Sequence, residues 1–431
     1  MALAIVYSRA LLGVEAPSVR VEVHLTGGTA RFNMVGLPEA VVKESKDRVR
    51  SAIINSHFSF PHLRITVNLA PADLPKEGGR FDLAIALGIL VASGQLKTEI
   101  LNDYEFAGEL ALSGELRPIK GILSFALAVR AAKRKLILPS ANVEEATLVS
   151  GLGCIAGRDL LQVCAHLSGQ RPLDCQQVET SLKNFISVTD LSEVKGQAAA
   201  KRALEIAASG AHSLLMVGPP GAGKTMLASR LPSILPLMNE EEALSVAAIY
   251  SLLAQGFDPK NWQQRPFRAP HHTASAVALV GGGQSPHPGE ISLAHQGVLF
   301  LDELPEFGRH VLECLREPLE AGVVRIARAT YQVEYPARFQ LIAAMNPCPC
   351  GYATDPTHHC HCTQEQIQRY HHKISGPFRD RLDMVLSLNA VTPKLLLSSD
   401  EVESNSAECR RRVIKARAKQ MQRQAKVNAE L

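Results

Sequence analysis

No stretch of this chain is long and apolar enough to read as a membrane span. The most apolar run, residues 81–96, carries Asp82 and falls short of the ~20 residues a span requires. Residues 1–15 contain Arg9 and Glu15 but lack the basic-then-apolar order of a secretory signal, so a cytoplasmic protein with no membrane partner is expected. Charge of one sign is also scarce: 46 Lys and Arg against 42 Asp and Glu leave +4, too little to mark a nucleic-acid binder by itself. Nine cysteines in 431 residues do not make a secreted disulfide scaffold. What is present is a globular composition, 46% hydrophobic and 20% charged, on a chain long enough for two or three domains.

The strongest signal lies at residues 214–225, LLMVGPPGAGKT. An apolar run breaks into Gly218, Pro219, Pro220, Gly221, Ala222, Gly223, Lys224 and Thr225, filling every fixed place of the G-x-x-x-x-G-K-[ST] phosphate loop. Glycines let successive backbone N–H groups face a polyphosphate, Lys224 neutralises the β and γ oxygens, and Thr225 holds Mg²⁺. A helix from about Lys224 adds its positive end. A second anchor is Asp302 and Glu303 after the apolar run 297–301, the pattern of a buried parallel strand ending in carboxylates. Asp302 suits the Mg²⁺ water shell and Glu303 suits the attacking water. A third strand, 341–345, ends in Asn346. ATP and Mg²⁺ are the cofactors this set implies.

Before that core, residues 19–25 and 63–69 alternate as half-buried strands, with a turn at Gly27 and Gly28. Pro38 is expected to open a helix to about Ile54. Residues 81–91 read as a buried helix and 124–134 as a surface one. The stretches APADLPKEGGRFDLAIALG (70–88) and GELALSGELRPIKGI (108–122) resemble the Lon-protease-like domain. The residues after the Pro75–Gly78 turn are Gly79, Arg80 and Phe81, and those after Gly121 are Ile122 and Leu123, so neither nucleophile nor base is in place. A catalytically inactive binding or regulatory module is expected.

Further motifs carry a wider resemblance. RAPHHTAS (268–275), GVLFLDELPEF (297–307) and NPCPCG (346–351), with the Lon-like segment, resemble the ComM/YifB family of magnesium-chelatase-like AAA+ ATPases, over the chain to about Leu388. The resemblance implies an α/β AAA+ P-loop NTPase core preceded by an α+β Lon-protease-like (S5-like) domain, with the C-terminal helical lid truncated. The expected boundaries are 1–168 for the Lon-like domain, 169–187 for a linker, 188–394 for the ATPase core and 395–431 for a basic remnant of the lid. It also implies that Val194, in VKGQ, packs near the adenine, that Asn346 senses the γ-phosphate, and that a hexameric ring forms. Arg381 is the first choice for the finger reaching a neighbouring subunit's nucleotide, then Arg379 and Arg316. The 322–335 stretch becomes a pore-facing hairpin offering Arg325 and Arg328 to DNA.

The function so implied is a ring motor on single-stranded and branched DNA, a branch-migration helicase integrating incoming DNA in natural transformation. A chelatase-like protein-remodelling ATPase and an inactive truncated subunit are the alternatives. Two readings stay open on residues alone. Cys348, Cys350, Cys360 and Cys362 fit a zinc site, free thiols or a redox set. Residues 410–426, with eight Lys or Arg and no acid, fit a helix docked on DNA or a neighbour, or a solvated tail. The adjacent His271 and His272 lack ligand partners at metal spacing.

Overall fold

The computed structural model describes residues 3–36, 40–176, 189–283, 286–327, 332–355, 358–390 and 405–430, without the side chains of 40–43. Arg328, the start of a helix at Pro38, most of the expected 169–187 linker and the 394/395 boundary lie outside these residues. The chain forms two compact units, Met1–Ser181 with Ala247–Trp262, and Leu182–Val246 with Gln263–Leu431. Residues 247–262, expected from sequence in the ATPase core, group with the first unit. Gly121 N–H donates to the Ser251 carbonyl at 2.8 Å there.

The first unit is built on a four-stranded sheet whose alternation follows the sequence. Strands β1 (Leu3–Arg9), β2 (Ser18–Thr26), β3 (Arg31–Val35) and, after helix α1 (Ala40–Asn55), β4 (Arg64–Ala70) lie in the order β1-β2-β4-β3. Val19, Val21, Val23 and Leu25 point to the core from one face of β2, as a period of two demands. Helix α2 (Asp82–Ala92) is buried almost all round, which its apolar composition requires. It approaches the sheet so closely that a Cβ at Gly88 would sit 2.5 Å from a Val23 methyl. A second sheet of β5 (Tyr104–Phe106), β6 (Lys135–Pro139), β7 (Cys154–Gly157) and β8 (Cys175–Gln176) completes the unit, with α3 (Ile122–Ala131) between β5 and β6. Helix α3 corrects the surface helix expected at 124–134. Ile122, Leu123, Ser124, Phe125, Ala126 and Val129 are buried, and its basic residues cluster at the last turn and beyond.

The second unit is a five-stranded parallel sheet with helices packed on it. Its elements are α4 (Ala198–Gly210), β9 (Leu214–Val217), α5 (Lys224–Ile234), β10 (Phe267–Arg268), β11 (Val298–Leu301), the hairpin β12 (Val323–Ala327) and β13 (Gln332–Pro336), β14 (Gln340–Met345), α6 (Gln364–His372), β15 (Met384–Ser387) and α7 (Ser406–Gln424). The sheet order is β10-β11-β14-β9-β15. Strands β9, β11 and β14 are near-continuous runs of Leu, Ile, Val, Ala, Phe and Met, as strands covered on both faces must be. Among the described residues no helix is long and apolar enough to cross a membrane.

Helix α7 packs one face of the basic 410–426 stretch on its own unit and leaves Arg411, Lys415, Lys419, Arg423 and Lys426 exposed. Cys409 and Val413 join the unit's hydrophobic core. Arg412 pairs with Glu205 at 2.5 Å, Arg417 donates to the Ala208 carbonyl at 2.7 and 2.9 Å, and Arg410 to the Ser233 carbonyl at 2.6 and 3.0 Å. Those carbonyls belong to the last turns of α4 and α5, where unpaired C=O groups and the negative helix end favour cations. Arg410 and Arg417 thereby cap helices of their own unit.

Candidate nucleotide site

Parallel strands deliver their loops to one edge of a sheet, and here β9, β14 and β11 deliver three. Strand β9 is paired in parallel on both sides, Val217 facing Met345 of β14 and Ser387 of β15. Next outward, Leu301 of β11 faces Ala343 of β14. The residues after Val217, Leu301 and Met345 therefore emerge side by side, the crevice where sheets of this kind bind ligands.

The loop after β9 has a conformation only its sequence allows. Gly221 and Gly223 adopt φ of 78° and 84°, with open space where a Cβ would stand. Gly218 is required sterically, since its Cβ would lie 2.8 Å from the Leu388 Cβ and carbonyl oxygen. Helix α5 begins at Lys224 and points its unpaired N–H groups into the loop. An open glycine cradle at the N-terminus of an eleven-residue helix fits a polyphosphate.

Side chains from all three strand ends converge on this loop. The Lys224 Nζ donates to the carbonyls of Gly218 and Pro219 at 2.7 and 3.0 Å and to Asn346 Oδ1 at 3.0 Å. Burial lowers the lysine's pKa, while Asp302 and Glu303 pull it back up. The Thr225 hydroxyl donates to Asp302 Oδ2 at 2.6 Å, and the Glu303 N–H donates to Asp302 Oδ1 at 2.9 Å. A hydroxyl against a carboxylate, beside a phosphate cradle, is an oxygen donor set suited to Mg²⁺.

Glu303 sits in the left-handed region at φ 52°, an uncommon conformation for a residue with a side chain. Its Oε2 is 3.0 Å from His272 Nδ1. His272 is the residue sequence reasoning missed. Sequence marks the adjacent histidines of RAPHHTAS as part of a family motif and as poor metal ligands, and the carboxylate that meets one of them lies on a different strand end. The same segment holds Arg268, whose Nε and Nη2 grip Glu290 at 2.6 and 2.7 Å, joining the RAPHHTAS and PGEISLAH stretches.

The remaining expected residues are placed less directly. Val194 is buried in the core with Leu191, Ala222 and Leu388, on the side of the loop where Gln197 donates to the Ala222 and Asn389 carbonyls. Arg381 is held by Glu320, its Nε 2.9 Å from Oε1, and Arg316 by Glu313 at 3.0 Å. The expected hairpin at 322–335 forms, pairing Val323 with Pro336 and Ala327 with Gln332. Arg325, however, is not a free cation: Glu334 lies 3.0 Å and Glu317 3.6 Å from its guanidinium. Period-two alternation brings residues 325 and 334 to the same face, so the hairpin neutralises its own arginine.

The four cysteines do come together. The Sγ atoms of Cys348, Cys350, Cys360 and Cys362 all lie within 4.8 Å of one another. Cys350 is pushed down to about 6, chiefly by the Tyr352 backbone N–H and then by the Cys348 thiol.

Comparison with known proteins places the chain among relatives along its whole length. Residues 190–396 match the family described as magnesium chelatase, subunit ChlI, and residues 21–142 match the family described as subunit ChlI of Mg-chelatase. The chain is 52% identical over its whole length to the competence protein ComM of Haemophilus influenzae, of which it covers 85%. It is 51% identical, again over its whole length, to the YifB protein of Escherichia coli, covering 84% of it. Similarity to the magnesium-chelatase 38 kDa subunit of Cereibacter sphaeroides is 25% over 36% of this chain and 52% of that one.

Proposed function

The chain belongs to the ComM/YifB family of magnesium-chelatase-like proteins, and from that premise we propose that it is a Mg²⁺-dependent ATPase working as a homo-oligomeric, hexameric ring on DNA. The observation that carries the hydrolysis is the meeting of Lys224, Thr225, Asp302, Glu303 and Asn346 at the carboxyl ends of three adjacent parallel strands. Phosphoryl transfer asks a protein mainly for position and charge. Lys224 supplies charge to the β and γ oxygens, Asn346 registers the γ-phosphate, and the glycine cradle holds the chain of phosphates. Thr225 and Asp302 are the residues that would hold magnesium, which would supply positive charge to offset that of the phosphates. Glu303 orients and polarises the attacking water. His272 holds the Glu303 carboxylate at 3.0 Å and limits where that carboxylate can point. In a ring, Arg381 of one copy would leave Glu320 to reach the nucleotide of the next, coupling hydrolysis to assembly.

The DNA substrate rests on the competence protein to which the whole chain is similar. Branch migration of joint molecules during natural transformation is the role that likeness supports, with the N-terminal unit as an inactive Lon-like module. The decisive experiment is steady-state ATP hydrolysis, alone and with single-stranded or four-way-junction DNA, beside Lys224→Ala and Glu303→Gln. Stimulation by DNA that disappears in both variants is expected. Turnover indifferent to DNA would replace this reading with a protein-remodelling motor of the magnesium-chelatase kind, and nucleotide binding without turnover would make the chain an inactive subunit.

A further inference from the structure

Cys348 and Cys350 leave the end of β14, and Cys360 and Cys362 lead into α6, whose N-cap is Thr363. The sulfurs of Cys348, Cys350 and Cys360 are 3.3, 3.5 and 3.7 Å apart. A tetrahedral zinc site with Zn–S of about 2.3 Å places its sulfurs about 3.8 Å apart. Three thiols thus stand near that spacing, and the fourth, Cys362, lies within 4.8 Å of each of them. Interleaved histidines do not share this focus: His358 faces Asp355 at 3.1 Å, and the rings of His359 and His361 lie against each other. Four soft ligands with no corner left for water describe a closed structural site.

The position of the cluster gives it a second property. Cys348 is fully buried and lies two residues after Asn346. A Cβ at Gly351 would sit 2.8 Å from Pro220 Cδ of the phosphate loop and 3.8 Å from Asn346 Cγ, so the ligand loop rests directly on the nucleotide loop. Helix α6 returns to the same point. His371 Nε2 donates to the Pro347 carbonyl at 3.0 Å, and the Tyr370 hydroxyl bonds the Asn346 backbone. The described residues between Asn346 and α6 have no regular secondary structure of their own. A cross-link across an irregular loop of that length removes conformational freedom that such contacts leave.

We propose that Cys348, Cys350, Cys360 and Cys362 bind one Zn²⁺ as thiolates, and that this ion is the strut fixing Asn346 and Pro220 at the nucleotide loop. The strut half rests on the nucleotide reading of Lys224 and its neighbours; the zinc half does not.

The test begins with the unmodified full chain, purified under reducing conditions, so that it does not depend on a variant that folds. Metal analysis should give about one zinc per chain, released by a mercurial reagent, as a closed four-thiolate site requires. Lys224→Ala should keep that zinc, and Cys360→Ser should lose it. Four freely titrating thiols in protein supplied with Zn²⁺, or iron with visible absorption in its place, would overturn the zinc assignment. The strut is tested by binding a fluorescent ATP analogue to chain stripped with a strong chelator. Affinity should fall roughly tenfold or more, as displaced binding groups cost, and return with Zn²⁺ alone. Zinc loss that lowers the melting temperature but leaves nucleotide affinity unchanged would overturn the strut and keep the metal. Absence of nucleotide binding in fully zinc-loaded chain would instead sink the nucleotide reading, leaving the zinc count intact.

Discussion

The first unit's most buried charges and the second unit's sheet-edge charges are put to opposite uses. In the first, charged groups are taken inside and neutralised in pairs. Glu105, fully buried, accepts from Arg9 at 2.6 and 2.8 Å and from Arg134 at 3.2 Å, and Asp82 accepts from Arg48 at 2.7 and 3.2 Å. In the second, Lys224, Thr225, Asp302, Glu303 and Asn346 gather at an accessible sheet edge, where ligand could replace each partner. A buried pair offers a ligand no access, and removing one partner strands the other charge inside the protein. Partly exposed groups arranged around a glycine loop cost stability and gain chemistry. The comparison therefore predicts which substitutions unfold the chain and which only silence it.

The largest effect should come at the sheet edge and leave the fold alone. Glu303→Gln should lower ATP turnover by about 10²–10⁴-fold, the range for a positioned base, with nucleotide binding retained. Lys224→Ala should remove nucleotide binding as well. Neither should shift the melting temperature by more than a degree or two, and a large shift in either would break the comparison. Glu105→Ala is the mirror case. It leaves Arg9 buried against the Ala16 carbonyl without its carboxylate and should cost about 3 kcal/mol or more in urea unfolding of the first unit. Nucleotide affinity should survive wherever the chain remains folded.

Mild acid should separate the units next. Burial, and then the charges of Arg338 and Arg265, lower His295 in the second unit from 6.5 to about 4. Its Nδ1 accepts from the Arg338 N–H at 3.0 Å, so Nε2 carries the proton and donates to Ser245 at 3.1 Å. Between the two values the unfolded chain takes up a proton that the folded chain refuses. Stability should therefore fall as pH drops from about 6.5 toward 4, by about 3 kcal/mol in total, and level off below. Asp82 in the first unit runs the other way: burial raises its pKa against the Arg48 hydrogen bond, so its penalty is relieved as pH falls. Hydrogen exchange at pH 7 and 4.5 should show the second unit loosening first, and His295→Gln should flatten its response.

His272→Ala sharpens the comparison inside the site. A positioning residue should lower kcat by about tenfold through a looser Glu303 while leaving nucleotide KM unchanged. An equal loss in KM would make His272 a binding residue instead.

What could be seen in advance follows the same division. The phosphate loop, Asp302, Glu303 and Asn346 were legible because each sits at the end of an apolar run, so a short window holds both the strand and the side chain it delivers. The alternating strands β2 and β4 were legible for the same reason. Where helix α7 docks was not: Cys409 and Val413 enter the core, and Arg410 and Arg417 find carbonyls more than 170 residues away in sequence. His272 and Glu303 meet only because β10 and β11 are neighbours in the sheet, a pairing no local pattern contains. Helix α3, a surface helix by sequence, is instead buried through Ile122, Phe125, Ala126 and Val129.

The smallest effect is expected at Arg325, and it tests whether exposed charge in the second unit is always functional. Sequence offers this residue to DNA; in the hairpin its guanidinium lies between Glu334 and Glu317 with about half its surface open. An exposed, compensated pair contributes about 0–1 kcal/mol, and an arginine neutralised in its own hairpin releases few counterions from DNA. Arg325→Ala should therefore leave both DNA affinity and the slope of log affinity against log salt nearly unchanged. A slope reduced by about 1 would mean that Arg325 abandons its glutamates for a phosphate when DNA binds. Glu334→Gln gives the complementary reading: freeing the guanidinium should steepen the slope if the hairpin faces DNA, and leave it flat if it faces anything else.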